Sequence, residues 1–202
     1  MSIKLQALEP LATQYWDQAL DKVMADTKGA PIHVHQLMAH NPKLLEAWWD
    51  FRNHCVEGGT LGNRAGELVI LRVAVHMQAW YEWGSHVDRA LVCGLTIDEI
   101  NQVLNRSSAG NWRPADAALL SAVDELIGQH SISEQLQVEL EIHFDTAQLM
   151  DIIAIQGMYV ILACMIKSWG LKLDQEVNDR ISEHTNERDF LIAAAHFKDS
   201  VD

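Results

Sequence analysis

The stretch "ELVILRVAVHMQAWYEWGSH", Glu67 to His86, places three ionisable side chains, Glu67, Glu82 and His86, among apolar ones. Residues three, four and seven beyond Glu67 are Ile70, Leu71 and Ala74, so on a helix the carboxylate shares their apolar stripe. A carboxylate there has to sit near the helix's exposed start, be paired, or be protonated. The plain alternative is a solvated first-turn acid that favours the helix dipole. Glu82 and His86 are spaced i, i+4 and face each other on a second helix, with the acid on the N-terminal side. An exposed pair of this kind contributes only about a few tenths of a kcal/mol. Their row, however, also carries Ala79, Trp83 and Ala90, which makes it more apolar than a solvated face.

A short turn at Met77 to Ala79 folds the two helices into an antiparallel hairpin. Glu67 then lies about two and a half turns before the turn and His86 about two turns after it, at similar heights for a rise of about 1.5 Å per residue. Glu67 therefore approaches both Glu82 and His86. Two carboxylates and an imidazole at close range push their pKa values apart, so that one acid is held protonated while the other pairs with the histidine. General acid–base chemistry near neutral pH needs that arrangement. His76, Trp80 and Trp83 are candidates for the wall of a pocket around it, although aromatic residues at helical spacing also make ordinary core. Tyr159, with Gln156 one turn before it on a later helix, is placed to close the pocket from across the core.

Outward from this stretch the chain reads as helix. Only four prolines and 11 glycines punctuate its 202 residues, and no run alternates like a strand for long. "HNPKLLEAWWDFRNHC" starts a helix at Pro42, "GGTLGNR" is a loop, and helices over 64–77 and 80–92 follow, the second stopped by Gly94. "TIDE", Thr96 to Glu99, is a capping box. Pro114 and Gly128 bracket another helix, "SISEQLQVELEIHF" begins the next, and Asp145 caps a long one that is nearly all apolar from Ile152 to Ile166. That run is shorter than the roughly 20 residues a bilayer requires, and Asp151, Gln156 and Lys167 interrupt it. It reads as a core helix. "SIKLQALEPLATQYWDQAL" reads as a lead-in and an amphipathic helix, and the patch "FLIAAAHF" near the C-terminus reads as a segment that docks on the body or on a neighbouring subunit. The expectation is one all-α domain over 1–202, of seven to nine helices, with a core at about 31–170.

The formal charge of −13 argues against nucleic acid or an anionic membrane as partner. A small anionic ligand is still admissible, because a few local cations outweigh the global field. Cys55, Cys93 and Cys164 are far apart, with no Cys-x-x-Cys and no charged-then-apolar leader. Reduced thiols in a cytoplasmic protein are expected, each acting as a small buried hydrophobe. A metal is the competing use of Glu82 and His86, but their i, i+4 spacing differs from the i, i+3 pair of di-iron bundles. His33, His35 and His40 match no usual zinc pattern. No cofactor and no metal are expected.

The segment "LGNRAGELVILRVAVHMQAWYEWGSHVDRALVCGLTIDEINQVL" resembles the carboxymuconolactone decarboxylase and alkylhydroperoxidase D (AhpD-like) superfamily. The resembling pattern is Arg64 with Glu67, then Tyr81, Glu82, Trp83 and His86, then Gly94 to Ile100. The resemblance implies a multihelical AhpD-like bundle of antiparallel helix hairpins and a homo-oligomer. In the peroxidase branch the active unit is a glutamate, two cysteines and a histidine. The glutamate falls on Glu67 and the histidine on His86, but the cysteine positions fall on Ala79 and Glu82. Thiol peroxide reduction needs both thiols, so that branch is set aside. The decarboxylase branch has no dithiol and implies a lyase acting on a small carboxylated cyclic or enolisable compound. In that reading Glu67 and His86 transfer protons, Glu82 sets the histidine's tautomer, Tyr81 donates a hydrogen bond, and Arg72 holds a substrate carboxylate. The rivals are a non-catalytic ligand- or partner-binding protein on the same fold and a metal-dependent redox protein.

Overall fold

The computed structural model describes residues 7–106 and 110–199. Two 3-10 turns, Thr13–Tyr15 and Gln18–Leu20, lead into α1 (Asp21–Asp26), α2 (His33–Met38), α3 (Pro42–Val56), α4 (Asn63–Met77) and α5 (Trp80–Val92). Then come α6 (Ile97–Gln102), α7 (Pro114–Gln129), α8 (Glu134–Leu140), α9 (Thr146–Trp169), α10 (Gln175–Ile181) and α11 (Glu187–Asp199). No strand occurs among the described residues. The helices outnumber those expected because several are pieces of six or seven residues, too short to show a hydrophobic period. The N-terminal segment expected as a lead-in and an amphipathic helix instead carries two 3-10 turns, with the six-residue α1 just after it, and its residues 2–6 lie outside the described part.

The capping signals act where the sequence puts them. Asn41 caps α3 through a bond from Leu44 N–H, and Pro42 takes the first turn. Thr96 with Glu99 and Asp145 with Gln148 form complete capping boxes at α6 and α9. Gly94 and Gly170 take left-handed backbone after α5 and α9. Gly128, read as the end of α7, lies inside the helix, and His130 takes the left-handed position instead. The α4–α5 turn is tight: Gln78 is left-handed, with its N–H on Val75 O at 3.1 Å and that of Ala79 on Ala74 O at 2.9 Å.

Helix α4 is the centre. Every residue from Gly66 to Val75 is buried, because α5, α7 and α9 pack around it. An all-round apolar sequence is what such a helix requires. Helix α9 is 24 residues long and apolar enough to cross a bilayer by length and composition. Here its face from Ile152 to Ile166 is core, set against α3, α4 and α7. The loop before α4 is pinned to α9. Asp151 accepts from Thr60 N–H and Oγ1 at 2.6 and 2.7 Å and pairs with His54 at 2.6 Å. Gly59 is required at this clamp, since a Cβ there would strike the Asp151 carboxylate. The C-terminal patch docks on the body: Phe190 stacks on Trp83 at 5.0 Å, and Phe197 lies edge-on to His76 at 4.9 Å.

Arg72 corrects the sequence reading. Its side chain is fully buried, with Nε and Nη2 on the two Asp124 oxygens at 2.6 and 2.7 Å and Nη1 on the Val103 and Asn105 carbonyls. Its guanidinium lies over the Phe197 ring at 4.1 Å. His76 meets the same carboxylate at 2.7 Å. Burial works to raise the Asp124 carboxyl, but the bonds from His76 and Arg72 overcome it and hold it below the ordinary range. Arg72 and His76 are thus occupied in tying α4 to α7 and to the segment after α6. Neither is on the wall of the cavity described below. Asp124→Ala would leave the guanidinium buried and unpaired, and a loss of about 3–5 kcal/mol in denaturant unfolding is expected. An unchanged midpoint would show that the pair carries no such load.

Candidate functional site

The hairpin brings Glu67 to His86. The imidazole Nδ1 lies 2.7 Å from Glu67 Oε2, and Arg89 Nε donates to Glu67 Oε1 at 3.0 Å. Glu67 is 2% exposed and sits in the second turn of α4, so it is not a solvated first-turn acid. Burial works to raise its pKa, but His86 and Arg89 together outweigh burial and hold the carboxyl below its usual value. Both Glu67 oxygens are committed, which makes it an anchor for the imidazole. With Nδ1 engaged, Nε2 is the ring nitrogen left for chemistry.

Glu82 behaves differently. It is 2% exposed, and neither carboxyl oxygen has a hydrogen-bond partner. Burial pushes its pKa well above the ordinary value, against a weaker opposing pull from Lys167. The histidine's tautomer is therefore set by Glu67 across the hairpin, not by Glu82 along α5. The i, i+4 spacing permits the Glu82–His86 contact, but the imidazole turns to the carboxylate that Arg89 keeps charged.

Glu82, His86 and Arg89 line a cavity of about 210 Å³. Its other walls come from α2, α3, α9, Asp174 and α10. Tyr159 on α9 presents its ring edge-on to His86, with centroids 5.0 Å apart, and Gln156 is not on the wall. Tyr81 is on the wall, but its hydroxyl donates to Asp174 Oδ2 at 2.8 Å and accepts from Val34 N–H at 3.1 Å. It is a strut between α5, α2 and the start of α10, not a free donor. Trp80 and Trp83 do not line this cavity. Trp83 is 1% exposed, with Nε1 donating to Thr185 Oγ1 at 3.2 Å. Trp80 borders a separate open depression between α5, α9 and α11.

The sequence reading missed Arg89, Arg52, His35 and Asp174. Only Arg89 had a local signal, being three residues beyond His86 on the same face. The other three reach the cavity from segments far away in the chain.

No group of three or more His, Cys, Asp or Glu is placed to hold a metal among the described residues. The histidine cluster diverges: His33 Nδ1 lies 3.1 Å from Lys172 O, His40 Nε2 lies 2.9 Å from Glu9 O, and His35 is buried edge-on to Trp49. Cys55 is buried, Cys93 half-buried and Cys164 exposed, so the thiols are not uniformly core. None of the three lines the cavity.

Residues 42–125, which carry α3 to α5, Arg72 and the Glu67–His86 pair, match the sequence model of the Carboxymuconolactone decarboxylase family. Over that span, fewer than half of its 202 residues, the chain is similar to this family. Its fold is similar to the alkylhydroperoxidase AhpD core of an uncharacterised peroxidase-related protein from Ralstonia eutropha JMP134, at 16% identity and TM-score 0.74, over 87% of this chain and 96% of that one. A second similar structure is an uncharacterised peroxidase-related protein from Silicibacter sp. TM1040, at 15% identity and TM-score 0.67, over 87% and 92%. A third is the debrominase Bmp8 in complex with 2,3,4-tribromopyrrole, at 12% identity and TM-score 0.73, over 90% and 98%. No curated protein matches in sequence.

The raised Glu82 predicts a pH-dependent stability difference. Its folded pKa stands above its unfolded value, so the stability that comes with the bound proton is fully present below the ordinary value of 4.5 and is lost as the pH rises toward the folded value. Glu82→Gln removes this titration. The variant is expected to gain on the parent by about 1.4 kcal/mol per pH unit across that window, and to show no pH-dependent gain below it. A difference in unfolding free energy that stays constant from about pH 4 to about pH 8 would contradict a buried, proton-holding Glu82.

Proposed function

We propose that this protein is a lyase, or a related proton-transfer enzyme, acting on a small carboxylated cyclic or enolisable compound. The observation that carries the reading is one cavity shared by two unlike groups: the unpartnered Glu82, whose pKa burial pushes well above its ordinary value, and His86, anchored through Nδ1 by Glu67. In a decarboxylation the bond from carbon to carboxylate breaks, its electron pair passes into a delocalised enolate, and carbon dioxide leaves. The enolate carbon then takes a proton. The Glu82 carboxyl is the donor in this scheme, and His86 Nε2 accepts a hydrogen bond or proton from the reacting group. Glu67 and Arg89 hold the imidazole and are positioning residues.

The family match and the lack of any thiol on the cavity wall favour this chemistry over peroxide reduction. A cytoplasmic setting belongs to the same reading and fits three cysteines without a disulfide. The test is carbon dioxide release from carboxymuconolactone by the purified protein, beside Glu82→Gln, His86→Ala and Glu67→Gln. Each variant is expected to fall by about 10²–10⁴-fold. Undiminished release from folded His86→Ala would sink the assignment. No release from the parent protein would remove this substrate and favour a ligand-binding role.

We also infer a homo-oligomer. Met150, Ile153 and Ile161 are exposed along one side of α9, and Gly157 between them has open space at its Cβ position. Light scattering should give the mass of two or more chains, reduced to one by Ile153→Glu with Ile161→Glu. A monomer mass for the parent protein rejects the idea.

A further inference from the structure

Three arginines face the cavity. Arg89 is committed to Glu67, and Arg180 Nε donates to Asp88 Oδ2 at 3.0 Å. Arg52 on α3 has no carboxylate within ion-pair distance among the described residues. The one protein acceptor found for its guanidinium there is Asn53 Oδ1, at 2.9 Å from Nη1. A guanidinium has five N–H donors, so most of its fork remains open. The fork is held in place by the Trp49 ring, whose centroid lies 5.0 Å from Cζ. A stacked, half-buried guanidinium with free donors is suited to planar, bidentate recognition of a carboxylate.

Three further side chains on the same wall also carry polar atoms without partners. His35 is 5% exposed and edge-on to Trp49 at 5.0 Å, with Nδ1 unpaired. Burial first, and then the Arg52 charge, push its pKa down to about 3, so the ring is neutral and its free nitrogen can meet an uncharged ligand group. The others are Glu82 and the indole Nε1 of Trp48. Buried polar groups are normally satisfied, and three orphans beside one open guanidinium in one cavity mark a polar ligand. Trp48, Trp49 and Tyr159 add aromatic faces to a wall that is otherwise mostly aliphatic, which suits a flat, largely apolar ring.

We propose that Arg52 is the residue that docks the ligand, through a single carboxylate borne on a flat cyclic body, with His35 and Glu82 facing the ligand's other polar atoms. The inference rests on reading this cavity as the substrate site, and not on the lyase chemistry. It adds a specificity residue from α3, outside the hairpin that carries Glu67 and His86.

The probes are benzoate and its uncharged analogue benzamide, followed by calorimetry and by fluorescence of the cavity tryptophans. Benzoate should bind the parent protein more tightly than benzamide. Arg52→Gln should weaken benzoate by about tenfold or more and leave benzamide unchanged. Arg52→Lys keeps the charge without the fork and should fall between. Lys43→Gln, an exposed charge change on the same helix, should match the parent. If Arg52→Gln does not fold, Arg52→Lys carries the test through a reduced preference for benzoate over benzamide. No benzoate binding, no preference for it, or equal loss of both probes would overturn the proposal. Arg52-dependent benzoate binding without carbon dioxide release from carboxymuconolactone would leave this inference standing and remove that substrate. Carbon dioxide release with an unchanged KM in Arg52→Gln would do the reverse.

Discussion

A carboxylate buried in a helix must be answered within hydrogen-bond reach, and the centre of this protein is organised around answering Glu67. His86 and Arg89, three residues apart on α5, take one oxygen each. Both come from the helix that the left-handed Gln78 turns back against α4. The turn, the register of the hairpin and the charge of Glu67 are therefore one constraint. A shift of either helix by a residue would leave the carboxylate buried without partners, at a cost of several kcal/mol. The same contact fixes the imidazole, so the group available for chemistry is oriented by the interaction that orients the hairpin.

The other side of α4 is held in the same way. Arg72 is buried with both terminal nitrogens and Nε engaged, and it draws together α7, the segment after α6, and Phe197 of α11. Between these two charged contacts α4 is apolar all round. A helix buried on every side has no amphipathic stripe to fix its rotation. Charged contacts of high directionality can do so, which gives a physical reason for ionisable groups in the most buried element.

The cavity lies where the directional contacts stop. Asp174 receives the Tyr81 hydroxyl and the His33 N–H at 3.1 Å, closing α2, α5 and α10 around it. Inside, the satisfied and unsatisfied groups separate by source. The groups on the hairpin face are paired, apart from Glu82. Those delivered by α2 and α3, His35 and Arg52, are largely open. A wall that keeps an unpartnered carboxyl, an unpaired imidazole nitrogen and an open guanidinium in one largely apolar enclosure is poorly explained by stability alone, because each costs stability when buried without partners.

Much of the frame was legible in the sequence for local reasons. Caps act within one turn, so Pro42, Gly94, Thr96 with Glu99 and Asp145 mark helix ends without help from the fold. The hairpin followed from apolar runs on either side of a three-residue break, and the approach of Glu67 to His86 followed from helical rise. Local spacing did not reveal which acid takes the imidazole, since Glu82 is as near along α5 as Glu67 is across the hairpin. It also placed Arg72 and His76 near a substrate, when Asp124, some 50 residues on, claims both. Trp80 and Trp83 likewise turned to α11 and its surroundings. Arg52, His35 and Asp174 had no local signal, because their meeting depends on how α2, α3 and α10 pack. The sequence by itself determined the helices and one pair of facing residues, through interactions that span a turn or a short hairpin. Only the tertiary structure decided which charges are paired, which are left open and where the cavity lies. Those outcomes depend on burial and on partners distant in the chain.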